Sequence, residues 1–273
     1  MKHHPYALFG RRTFFFANIL APLIAGAIAF SSPVMAGQKP TIVLVHGAFA
    51  DSSSWNGVIK DLEADGYPVV GAANPLRSVK GDAAYVSSIL SSIKGPIVLV
   101  GHSYGGHVIS GAANGHDNVK ALVYVAAFAP EVGESAVELS GKLPGSSLAL
   151  TLVAPISLSG GGHDLYIDQA KFPEQFAADV PEPAAKLMAA EQRPITEAAL
   201  KEPAGNPAWK NVPSWFVYGD ADKNIPPAAQ AWMAERAKSK GTVVVKGGSH
   251  VVMISHPDAV AHLIEQAADT VSK

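Results

Sequence analysis

One pentapeptide in the chain has the spacing of a nucleophile: Gly101-His102-Ser103-Tyr104-Gly105. A serine hydroxyl attacks an acyl carbon only when a base takes its proton and donors hold the oxyanion that forms. Pro96 to Val100 reads as a buried strand running into the motif, and a helix reads on from Tyr104. Between the two, the serine must stand on a sharp turn in a strained backbone conformation. Gly101 and Gly105 remove side chains that would strike the neighbouring strand and helix. The helix dipole would point at the oxyanion, with the Tyr104 amide as one donor.

A serine so placed needs a scaffold, and the rest of the chain reads as one. Short, continuous, β-branched runs occur at Thr41 to Val45, Tyr67 to Ala72, Lys120 to Ala126, Ser214 to Tyr218 and Thr242 to Lys246. Unbroken apolar runs fit strands buried on both faces. Helical patterns lie between or after them: Trp55 to Ala64, Asp82 to Ile93, Tyr104 to Asn114, Ala228 to Ser239 and Asp258 to Val271. The alternation predicts an α/β fold with a doubly wound, mostly parallel sheet. From about 130 to 213 the rhythm stops. That stretch is too long for a plain loop and predicts an inserted, largely helical cap, with helix between Lys171 and Leu200.

With these motifs in place, the chain resembles an α/β-hydrolase fold serine hydrolase. It is most similar to the small esterases, the plant methylesterases and hydroxynitrile lyases and their bacterial relatives. Ala121 to Pro130 is similar to the strand that leads into their cap. The resemblance implies that His46-Gly47-Ala48-Phe49 carries the second oxyanion donor. By position that donor is the Ala48 amide, with Phe49 as the alternative, and His46 reads as a structural histidine. The resemblance also implies the chain order serine, acid, base. Gly219, Asp222, Ile225 and Pro226 match the family's acid pattern, so Asp222 is the expected acid and Asp220 the alternative, read otherwise as a turn residue. His250, in the loop after the last strand, is the expected base. Its rival His256 precedes Pro257 at a helix start, where a capping or surface histidine is the ordinary reading.

His102 and His107 flank the elbow and read as packing or hydrogen-bonding residues, and His163-Asp164 as an exposed cap loop. No His-x-x-x-His or Glu-x-x-His pair occurs, so no catalytic metal is expected, and the serine chemistry calls for no cofactor. Zero cysteines exclude a thiol nucleophile and a disulfide scaffold. A formal net charge of −2 gives no basic footprint for nucleic acid.

Residues 1–36 differ from the rest of the chain. They hold Lys2, Arg11 and Arg12 with no acidic residue, then an apolar stretch from Phe14 to Phe30, then Val34-Met35-Ala36. This is the layout of a signal peptide cleaved after Ala36, which predicts a bacterial periplasmic or secreted protein with no stable membrane anchor after cleavage. An uncleaved anchor is the rival reading. Arg11-Arg12 fits either a twin-arginine signal or ordinary basic charge. Residues 1–36 carry three of the 21 basic and none of the 23 acidic residues, so the domain from 37 to 273 is near −5.

The expected activity is cleavage of small-molecule carboxylic esters through an acyl-enzyme. A serine in place of a carboxylate argues against the dehalogenase and epoxide hydrolase chemistries of this fold. A hydroxynitrile lyase, a cofactor-free perhydrolase or haloperoxidase, and a non-catalytic binder stay open as alternatives. Phe128, Tyr166, Phe172, Phe176 and Trp209 are candidates for the wall of an apolar pocket, although each taken singly reads as cap core.

Overall fold

The computed structural model describes residues 39–271. The expected signal peptide and cleavage position, residues 1–36, lie outside the described residues.

The strands of the main sheet are β1 (Thr41–Val45), β2 (Val69–Ala72), β3 (Ile97–His102) and β4 (Val119–Val125). Three short strands come next: β5 (Ile156–Ser157), β6 (His163–Leu165) and β7 (Ile195–Thr196). Then β8 (Ser214–Gly219) and β9 (Thr242–Val245) complete the main sheet. The helices are α1 (Asn56–Ala64), α2 (Val79–Ser91), α3 (Tyr104–Ala112), α4 (Ala136–Gly141) and α5 (Phe172–Phe176). They continue as α6 (Glu182–Glu191), α7 (Glu197–Lys201), α8 (Pro227–Arg236), α9 (Val252–Ser255) and α10 (Pro257–Val271).

Six strands pair in parallel in the order β2-β1-β3-β4-β8-β9. Order and chirality together sort the helices. The step from β1 to β2 runs one way along the sheet and every later step runs the other way. Right-handed crossovers therefore put α1 on one face and α2, α3 and α8 on the opposite face. Accordingly α1 packs on α10, and α2 packs on α3. The central strand β3 is buried at every position, while the edge strand β9 exposes Thr242 and Val244. Unbroken hydrophobicity belongs to the centre of a parallel sheet, and an edge must tolerate water.

The interval between β4 and β8 departs from the sequence reading. It is not simply helical: β5, β6 and β7 form a three-stranded antiparallel sheet beside four short helices. Strands of two or three residues show no readable alternation, and the prolines that interrupt the helical stretch stand at its breaks, Pro181 just before α6 and Pro194 just after it. Polar ties hold this cap to the body. Glu202 accepts from the Val79 and Lys80 amides at the start of α2, at 2.6 and 3.1 Å. Arg77 pairs with Asp164 at 2.6 Å, and Arg236 donates to both carboxylate oxygens of Glu134 at 2.9 and 2.8 Å.

Candidate active site

The loops that leave β1, β3, β8 and β9 meet at the carboxyl edge of the sheet, where parallel strands gather chain ends and helix N-termini. Ser103 follows β3 with φ 53° and ψ −123°, a strained conformation for an L-residue. Its surroundings over-determine that geometry. The Ser103 amide donates to Val125 O at 3.2 Å, and its carbonyl accepts from the Gly106 and Phe128 amides at 3.0 and 3.2 Å. A Cβ at Gly105 would lie 2.5 Å from Val45 O, and one at Gly101 would lie 2.6 Å from Gly105 O. The turn closes only with both side chains absent.

Three side chains then form a line. His250 Nε2 is 2.8 Å from Ser103 Oγ, and His250 Nδ1 is 2.8 Å from Asp222 Oδ2. A carboxylate can only accept, so the imidazole proton sits on Nδ1 and Nε2 is left to accept from the serine hydroxyl. Both Asp222 and His250 are buried. The carboxylate is fully satisfied: Oδ1 accepts from the Asn224 and Ile225 amides at 2.7 and 3.1 Å, and Oδ2 also accepts from Gln230 Nε2 at 2.8 Å. Such a line can carry a proton from Ser103 to His250 while Asp222 stabilises the resulting imidazolium.

Two backbone donors stand beside it. Phe49 adopts φ 59°, and its amide is spent on Arg193 O at 2.9 Å. Among the described residues, the Ala48 and Tyr104 amides pair with no acceptor. Both residues line the same cavity as Ser103 and His250. The tyrosine side chain points elsewhere, donating its hydroxyl to buried Asp82 at 2.8 Å. Burial pushes the Asp82 carboxyl up, and burial followed by the Asp82 charge pushes the Tyr104 phenol up.

The other candidates occupy structural positions. Asp220 is exposed and accepts from the Gly247 amide at 2.6 Å, pinning the turn after β9. His256 pairs with Asp179 at 3.3 Å, and His163 lies 3.6 Å from Glu197 at the surface. His46 Nε2 accepts from the Asn74 amide at 2.9 Å, so its proton is on Nδ1, facing Gly47 O at 2.9 Å. Burial lowers its pKa to about 4. His102 Nε2 donates to the carbonyl of His250 at 3.1 Å and holds that loop in place, and burial takes its pKa well below the ordinary value. His107 is buried without a hydrogen-bond partner among the described residues, and burial lowers its pKa to about 4.

A cavity of about 420 Å³ opens over Ser103. Its wall is mostly apolar: Leu148, Leu150, Leu152, Leu165, Leu200 and Ile225, with Phe49, Phe128 and Phe176. Ser140, Ser146, Ser147 and Asn224 form a polar strip, and Glu197 and Lys201 form an ion pair on the wall. Of the aromatic residues anticipated there, Phe128 and Phe176 line the cavity, whereas Tyr166, Phe172 and Trp209 do not. Phe172 is fully buried behind Phe176, with ring centroids 4.8 Å apart. Trp209 turns its indole N–H to Pro130 O at 2.8 Å and lies under Arg236. Tyr166 uses its carbonyl to accept from the Val153 amide at 3.0 Å, in the cap's backbone ladder.

Sequence reasoning passed over the leucine wall and Gln230. Leu148, Leu150 and Leu152 sit in a segment without periodicity. Gln230 had a usable signal: it interrupts the buried stripe of α8 formed by Ala229, Met233 and Ala234. A polar residue on such a stripe needs a buried partner. Among the described residues, no group of three or more His, Asp or Glu side chains could hold a metal ion. No described helix is long and apolar enough to cross a membrane.

Comparison with known proteins adds the family. The family model for the alpha/beta hydrolase family matches residues 42–263. The chain is 29% identical over 247 residues to a pyrethroid hydrolase of Sphingobium wenxiniae, covering 84% of this chain and 87% of that one. It is 27% identical over 252 residues to an alpha/beta hydrolase of Aspergillus novofumigatus, covering 84% and 97%. In fold it is similar to polyneuridine aldehyde esterase, with a TM-score of 0.75 at 19% identity over 85% of this chain and 100% of that one. This chain belongs to the alpha/beta hydrolase family.

Proposed function

We propose that the protein hydrolyses carboxylic esters of small, neutral, largely apolar molecules through an acyl-enzyme. The observation that carries this reading is the Ser103–His250–Asp222 line, with both links at 2.8 Å, beside the free amides of Ala48 and Tyr104. Ser103 attacks the ester carbonyl as His250 takes its proton. The tetrahedral oxyanion rests on the two amides, worth about 3 kcal/mol per donor in the transition state. His250 then protonates the leaving alcohol, and water repeats the sequence on the acyl group. The leucine-lined cavity supports an apolar substrate, and the pyrethroid hydrolase relative is in keeping with that.

The lyase alternative fits the wall less well. Departure of cyanide leaves an anion beside His250, and Lys201 on the wall is already paired with Glu197. We also propose that residues 1–36 direct export and are removed. N-terminal sequencing of the protein from periplasm and medium tests this, and a retained Met1 would overturn it.

A fluorophosphonate probe tests the chemistry. The wild type should label and Ser103→Ala should not. A panel of p-nitrophenyl, methyl and aryl esters and lactones then ranks substrates. A wild type as resistant to the probe as Ser103→Ala would sink the reading, and labelling without turnover of any ester would move it to the perhydrolase or lyase relatives.

A further inference from the structure

We propose that Gln230 is a positioning residue for Asp222, orienting its carboxylate toward His250 and limiting how strongly it stabilises a protonated imidazole. The proposal rests on the hydrolytic reading above. Asp222 Oδ2 is shared, accepting from His250 Nδ1 and from Gln230 Nε2 at 2.8 Å each. The second hydrogen of the Gln230 amide goes to Ile225 O at 2.9 Å. Ile225 in turn donates its own amide to Asp222 Oδ1. Gln230 thus grips both the carboxylate and the turn that holds the carboxylate's other oxygen. Its side chain is buried on the core stripe of α8, where an aliphatic residue would satisfy packing alone.

Two donors on one oxygen divide its charge between them. Without the Gln230 donor, Oδ2 faces His250 with more negative charge and holds an imidazolium more firmly. General-base action needs Nε2 unprotonated, so the acid limb of activity must move to higher pH. Besides Asp222, the side chains against His250 are the neutral Ser103 hydroxyl, Phe176 and His102, and the Asp179 carboxylate is held one residue away by Ser249. His102 is buried and, at neutral pH, uncharged, and Asp179 is untouched by a change at Gln230, so none of them supplies a compensating charge. Gln230 is absent from the cavity wall, so ester binding should hardly change.

The experiment uses Gln230→Met and Gln230→Leu, which keep bulk and remove the donors. Fluorophosphonate labelling rates and p-nitrophenyl butyrate turnover are measured against pH. Met233→Ala, on the same buried stripe, serves as a control for lost packing. Both Gln230 variants should lose about tenfold in kcat with KM within about twofold of wild type. Their acid limbs should rise by about half to one pH unit. Met233→Ala should lower Tm and leave the limb in place. If either Gln230 variant folds and keeps the wild-type limb and kcat, or if Met233→Ala moves the limb equally, the proposal is overturned. Should the wild type itself fail to label at any pH, the hydrolytic reading falls first and this proposal with it.

Discussion

The Tyr104 phenol donates to Asp82 at 2.8 Å, so the first residue of α3 is tied to α2 by a buried hydrogen bond. The same residue presents an unpaired amide beside Ser103. One residue therefore divides its work: the side chain anchors the helix, and the backbone faces the cavity. Tyr104→Phe should destabilise by about 1–3 kcal/mol, because Asp82 loses a buried donor. Ester turnover should stay within about threefold of wild type, because the amide remains. Urea unfolding and steady-state kinetics on the same preparation check both halves. A collapse of kcat in a folded Tyr104→Phe would assign the phenol to the chemistry.

Ser103→Ala and His250→Ala should each depress kcat by about 10⁴- to 10⁶-fold. Asp222→Asn should cost about 10⁴, because an amide at Oδ2 favours the wrong imidazole tautomer. Ser103→Ala should leave Tm nearly unchanged, since it gives up one hydrogen bond to His250 and keeps the backbone turn. Differential scanning fluorimetry beside turnover assays separates lost chemistry from lost fold.

Phe176 and Phe172 should answer differently to the same change. Phe176→Ala enlarges the cavity wall, so longer or bulkier acyl chains should gain in kcat/KM relative to butyrate. Phe172→Ala opens a void behind that wall and should cost about 3–5 kcal/mol of stability. A matched p-nitrophenyl ester series with thermal denaturation of both variants checks the contrast.

Buried histidines make an acid limb of stability. His46 and His107 are lowered by burial from 6.5 to about 4, and His102 lies well below its ordinary value. Between those values the unfolded chain binds protons that the folded chain refuses. The contribution of His46 and His107 is therefore full above pH 6.5 and is lost as pH falls toward 4, by up to about 3 kcal/mol each, and His102 acts in the same direction. Chemical denaturation from pH 7 to pH 4 should show a steady fall. His107→Leu should flatten part of it, because that ring has no hydrogen bond to lose.

Much of the fold and the site is legible in the chain itself. Unbroken β-branched runs around Ile97 to Val100 dictate a central parallel strand, because only burial on both faces accommodates them. The Gly-x-Ser-x-Gly spacing dictates the elbow, because side chains at Gly101 and Gly105 would overlap backbone atoms. Local rules of this kind act over a few residues and survive in sequence. The resemblance to the family adds Asp222 and His250 as the expected acid and base, through its chain order and its acid pattern. Choices between near neighbours are decided only by tertiary structure. Phe49 stays an alternative to Ala48 as backbone donor until Arg193, far along the chain, takes the Phe49 amide. Asp220 stays an alternative to Asp222 until the fold turns one to Gly247 and the other to His250. Phe172 and Phe176 lie one helical turn apart, and only the cap's packing decides which meets the cavity. Gln230 and the leucine wall belong to the same class, because hydrogen bonds and cavities between distant segments depend on where those segments meet, and spacing along the chain does not record that.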